Sequence, residues 1–183
     1  MELAVLLPIA AFIALAAGLA VVLRGTGRIV ARTREVEQFR SAVADLARRV
    51  DASLEGAIDA IDAVRRRQVA PDSIAEIVAA ATDAVQRYAN EARALPGPGK
   101  TRRIRSDIVG DLERAERALA MVEHGATVLT TARRGPGELE GQTSIKRGYL
   151  NLLHAREAFG RHALEAKALE SGEGVAPTNA GIS

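Results

Sequence analysis

Residues 36–64 read VEQFRSAVADLARRVDASLEGAIDAIDAV. Val36, Phe39, Val43, Leu46, Val50, Leu54, Ala57, Ile61 and Val64 recur at steps of three and four. That period lays one apolar stripe along a single helix, with charged residues on the opposite face. A stripe sustained over this many turns needs a continuous apolar partner, which other helices of the same kind supply. The stretch therefore predicts an all-α chain, with a first soluble helix from about Arg28 to Val69.

The following sequence supplies the partners. Ala70-Pro71-Asp72-Ser73 stops the first helix and starts a second. Ile74, Ile77, Val78, Ala81, Val85, Tyr88, Ala92 and Leu95 form its stripe, and Pro96-Gly97-Pro98-Gly99 ends it. A third helix is expected over roughly Arg103–Arg133, with Ile108, Leu112, Ala115, Leu119, Val122, Ala126 and Leu129 inward. Gly135-Pro136-Gly137 breaks it. A fourth is expected over roughly Thr143–Glu170, with Ile145, Tyr149, Leu152, Phe159, Ala163 and Ala166 inward and Arg156 reaching out to solvent along its aliphatic stem. Short loops make successive helices antiparallel. Aromatics are only 3% of the chain, so Ala, Val, Leu and Ile must build the core.

Upstream, Leu3 to Leu23 is an uncharged apolar run. About 20 such residues span a bilayer as a helix. The preceding Met1-Glu2 lacks the basic n-region of a cleaved signal, and the run is longer than a signal core. The expectation is a retained transmembrane anchor. Arg24, Arg28, Arg32 and Arg34 follow it and no cation precedes it, which places the N-terminus outside and the remaining chain in the cytoplasm. The expected organisation is a single-pass anchor over 1–24, a cytoplasmic four-helix bundle with coiled-coil-like packing and a long first helix over 25–170, and a disordered tail over 171–183. Gly25-Thr26-Gly27 is either a hinge or a part of the helix.

The chemistry-bearing motifs are weak. Gly97-Pro98-Gly99-Lys100-Thr101 resembles the end of a phosphate-binding loop. However, Ala94 stands where the first glycine is needed, no strand precedes it, and Pro98 lacks a backbone donor. It reads as a turn. None of His124, His154 and His162 has a Glu three residues before it, so the bundle di-metal pattern is missing. His154 with Glu157 and His162 with Glu165 read as surface pairs. Cysteine is absent, which excludes thiolate chemistry and disulfides. No catalytic residue, cofactor or metal is assigned.

The cationic clusters carry more. Arg65, Arg66 and Arg67 close the first helix and Arg133 and Arg134 the third. Antiparallel packing puts both at the membrane-distal end, near Lys146 and Arg147. They form a candidate basic surface, although cations also suit helix C-termini electrostatically. Lys100, Arg102, Arg103 and Arg105 lie at the other end, where anionic lipid is a candidate partner. With 25 Lys and Arg against 23 Asp and Glu, the net charge of +2 does not argue for nucleic acid.

Two features point to self-association. Ala10, Ala14 and Gly18 lie four apart, giving one small-residue face within the anchor. Val36 lies where the first helix outruns the second, so its stripe is expected to be exposed and to pair with a second copy in parallel; Phe39 lies at the margin of that stretch, covered only by the start of the third helix. The functional expectation is a membrane-anchored, non-enzymatic scaffold or regulatory adaptor that binds a protein partner or itself. The rival classes are an electrostatic module for nucleic acid or anionic lipid, and a bundle enzyme or metal-binding protein with polar side chains between its helices.

Overall fold

The computed structural model describes the backbone of residues 3–131 and 135–169, and the side chains of 33–131 and 135–169. The described residues are all-α. Helix α1 spans Leu3–Arg65, α2 Ala75–Ala94, α3 Arg102–Thr131 and α4 Pro136–Lys167. Short 3-10 turns at Pro71–Ile74 and Gly99–Thr101 precede α2 and α3. The backbone of α1 passes through Gly25-Thr26-Gly27 without a break. Among residues with described side chains, no helix is long and apolar enough to cross a membrane. The run Leu3–Leu23 lies outside that set, as does the tail expected over 171–183.

The helices form a ring in which α1 packs on α2 and α4, and α3 packs on the same two. Polar pairs fix the antiparallel registers. Arg49 donates to Glu91 and Ser53 Oγ lies 2.9 Å from Tyr88 Oη between α1 and α2. Arg93 meets Glu113 between α2 and α3, and Arg156 meets Asp51 between α4 and α1. Arg156 thus reaches outward, as its place in the stripe required, but ends on a carboxylate rather than in open water.

The predicted stripes of α1 and α3 are the core. Phe39, Val43, Leu46, Ile61, Ile108, Leu119 and Val122 are fully buried. In α2 the face turns slightly: Val78 is 2% exposed, whereas its neighbour Ile77 is 43% exposed.

Helix boundaries differ from the sequence reading at two places, each for a local reason. First, α1 ends at Arg65 because Arg67 adopts φ +60°. Its N–H donates to Val64 O at 2.8 Å, and Gln68 N–H donates to Ala63 O at 2.9 Å. This pair of bonds is the Schellman closure, which usually places glycine at the left-handed position. Second, α4 starts at Pro136, seven residues before Thr143. Proline suits the first helical position, whose N–H has no helical partner anyway.

The α3–α4 interface is the most extensive and is set by three glycines. A Cβ on Gly125 would lie 2.7 Å from Gly141 O, and one on Gly148 would lie 2.7 Å from Ala118 O. Backbone touches backbone there, so no side chain fits.

The expectation that Val36 is left exposed, with Phe39 at the margin, is overturned. They are 1% and 0% exposed. Helix α2 does stop short of them, but other segments reach them. A Cβ on Gly97 would lie 3.3 Å from Phe39 Cδ2, so the connection before α3 folds over that ring. Helix α4, at 32 residues, also outruns the 20-residue α2 and follows α1 towards the same end.

Candidate docking site at the distal end

The end of the bundle far from Leu3 is built by three stops. The Schellman closure of α1 turns the chain out at Arg67, Pro71 redirects it into α2, and Pro136 starts α4. Between them lies a cleft of about 500 Å³. Val64, Leu129 and Ile145 make its apolar floor; Val69 and Pro71 form one wall; Arg65, Arg67, Glu138 and Lys146 carry its charge.

The three arginines that close α1 are not equivalent. Arg65 donates from Nε at 2.8 Å and Nη2 at 2.6 Å to Asp62 Oδ1, and its guanidinium lies 5.1 Å from the Tyr149 ring centroid. Arg66 Nε lies 2.7 Å from Asp62 Oδ2. One carboxylate thus serves two cations. Hydrogen bonding from Arg65 holds the Asp62 carboxyl below its ordinary value, against the opposing effect of desolvation. Arg67 is largely exposed and sits 3.8 Å from Glu138, a loose pairing. Lys146 forms no ion pair among the described residues. The cleft therefore keeps a positive rim above an apolar floor. Arg133 and Arg134, expected to join this surface, lie outside the described residues.

The other candidates are placed differently. Ala10, Ala14 and Gly18 lie on α1, and their side chains are outside the described set. Val36 and Phe39 belong to the bundle's own interior, so they offer no surface to a second copy. In the cluster at the opposite end of the bundle, Arg103 is paired with Asp107 and Glu165, and Arg105 donates to Leu95 O at 2.7 Å. Thr101, in the loop that resembles a phosphate site, is 0% exposed and donates its hydroxyl to Pro98 O at 2.8 Å. That hydroxyl is committed to the turn.

The histidines correct the sequence reading. Glu157 accepts from Arg161, and Glu165 pairs with Arg103. His162 instead lies with Nδ1 2.6 Å from Asp111 Oδ2, across the α3–α4 interface. Asp111 is 1% exposed, and its Oδ1 lies 2.6 Å from Arg114 Nη2, an ion pair without hydrogen-bond geometry. The only available signal in the sequence was that Asp111 adjoins Leu112 on the inward side of the α3 stripe. Among the described residues no three His, Asp or Glu side chains gather as a metal site.

Comparison with protein-family models gives no match. Comparison with curated proteins and with solved structures gives no significant match either.

Proposed function

We propose that this chain is a membrane-anchored helical adaptor that holds a protein partner at the cytoplasmic membrane face. The anchor is the run Leu3–Leu23, oriented by the arginines that follow it. The docking site is the distal cleft. The observation that carries this reading is the juxtaposition of an apolar floor with a positively charged rim at the free end of the bundle. Such a cleft fits a segment that inserts apolar side chains and presents carboxylates to Arg67 and Lys146.

The test uses two equally exposed positions. Val69 lines the cleft, whereas Ile77 lies on the outer face of α2, and both are 43% exposed. A photo-crosslinking residue at Val69 should give a discrete protein adduct in native membranes, weakened by Arg67→Glu. The same group at Ile77 should not. Equal labelling from both positions, or from neither, contradicts the docking site.

One observation favours a second reading. Asp111 with His162 is a polar pair between helices, where bundle proteins place their chemistry. If it acts chemically, Asp111→Asn abolishes function while the fold survives. If it only ties α3 to α4, function follows stability.

A further inference from the structure

Helix α4 carries two heptad seams. The inward seam runs through Gly141, Ile145, Gly148, Leu152, Ala155 and Phe159, all buried. The second lies two residues earlier at each step, on the outer face: Leu139, Thr143, Lys146, Leu150, Leu153, Glu157, Gly160 and Leu164, of which Thr143 is half-buried and Leu153 is half-buried against the core. Its spacing alternates between four and three throughout, the period of a coiled-coil contact. Leu139 is 70% exposed, Leu164 67% and Leu150 43%. Three leucines aligned along the centre of a solvent face are an unpartnered apolar stripe.

The order of residues along this seam identifies its occupant. Laid antiparallel against itself, the seam places Leu139 against Leu164, Lys146 against Glu157, Leu150 against Leu153, and Thr143 against Gly160. Every apolar position meets an apolar one, the small glycine meets threonine, and Lys146 meets Glu157, which within its own helix also accepts from Arg161. Two-fold symmetry makes each pairing occur twice. A parallel in-register pair would oppose Lys146 to Lys146 and Glu157 to Glu157, which like-charge repulsion disfavours. Beside Leu164, the groove between α1 and α4 holds about 410 Å³; Ala44, Ala47 and Ala163 line it together with the charged Arg48, Asp51 and Lys167. It has room for the Leu139 side chain of the second copy. We infer that the outer face of α4 is a homodimer interface, in which α4 of one copy lies antiparallel to α4 of another through Leu139, Lys146, Leu150, Leu153, Glu157 and Leu164.

The pairing has a geometric consequence. The two α1 helices then run in opposite directions. Anchors at their ends enter one bilayer only if α1 bends near Gly25-Thr26-Gly27 and the bundles lie along the surface. With α1 straight, the pair joins two facing membranes. The seam meets the distal cleft at one end, where Glu138, Gln142 and Lys146 of α4 line the cleft. Lys146 borders both, so Glu157 is the residue that separates them.

The test uses the full chain in detergent, which lacks cysteine of its own. Single variants Leu139→Cys and Leu164→Cys are mixed and oxidised. A covalent dimer from the mixture, with little from either variant alone, is the expected result. Crosslinking of each variant with itself, or no crosslinking in the mixture, overturns the antiparallel pair. Glu157→Lys should weaken association at least tenfold by sedimentation, and Lys146→Glu/Glu157→Lys should restore it. Association unchanged by Glu157→Lys overturns the assigned register. The Val69 photo-adduct should survive Glu157→Lys, so failure of the dimer and failure of the adaptor site are read separately.

Discussion

His162 Nδ1 lies 2.6 Å from Asp111 Oδ2, joining α4 to α3 through a carboxylate that is 1% exposed. A buried carboxylate is tolerated only when paired, and removing one partner strands the charge. His162→Ala should therefore destabilise the bundle by about 3 kcal/mol, the low end for a broken buried pair because Arg114 still faces the other oxygen. Denaturant unfolding checks this. A loss below about 1 kcal/mol would mean that water or Arg114 already satisfies Asp111.

That pair marks a limit of what the sequence makes legible. The stripe from Val36 to Val64 predicts α1's buried face residue by residue, because periodicity reports which side is inward. It does not report which polar residue is dragged inward beside a stripe, as Asp111 is beside Leu112. It also predicts partners only through helix lengths. Val36 reads as exposed because α2 is short, but it is buried: the connection around Gly97, which leads into α3 and covers Phe39, and the longer α4 both reach that end. The distal cleft was half legible: the Arg65–Arg67 cluster is evident in the chain, whereas its floor of Val64, Leu129 and Ile145 needs three helices in register. The glycine seam was not legible, since Gly141 and Gly148 look like helix-weakening residues until Gly125 and Ala118 are seen against them.

Gly148→Ala tests that seam. The added methyl would sit 2.6 Å from Val122 Cγ2 and 2.7 Å from Ala118 O. Backbone cannot yield as a side-chain tip does. The cost should be about 1–3 kcal/mol despite alanine's better helix propensity. By contrast Gly56→Ala, which meets nothing within 4 Å, should be neutral or stabilising. Parallel unfolding curves of the two variants decide it.

Arg67→Gly should separate stability from binding. The left-handed backbone at φ +60° strains any residue with a Cβ. Relief of that strain, less glycine's greater unfolded-state freedom, should raise stability on the order of 0.5–1 kcal/mol. The same change removes a cation from the cleft rim, so partner capture at Val69 should fall. A variant that is both less stable and equally competent would contradict the role assigned to Arg67.

Asp62 should make the distal end acid-labile. Its carboxyl is held below the ordinary value in the folded chain. A depressed carboxyl contributes stability above its unfolded value, about 4, and that contribution is lost as pH falls through the lower folded value. The wild type should lose stability relative to Asp62→Asn below about pH 4. Melting curves of both from pH 6 to 2.5 should converge towards the acid end. Parallel curves would show that the Arg65 and Arg66 pairs contribute nothing in solution.

The measurement that tests the adaptor account most directly is protease protection of the full chain in sealed cells, with a tag after Ser183. The chain should remain in the carbonate-washed membrane fraction with Met1 or Glu2 near its N-terminus, and external protease should leave the tag intact. Digestion of the tag in sealed cells, or a mature N-terminus near Ala20, would contradict a cytoplasmic bundle held by a retained anchor.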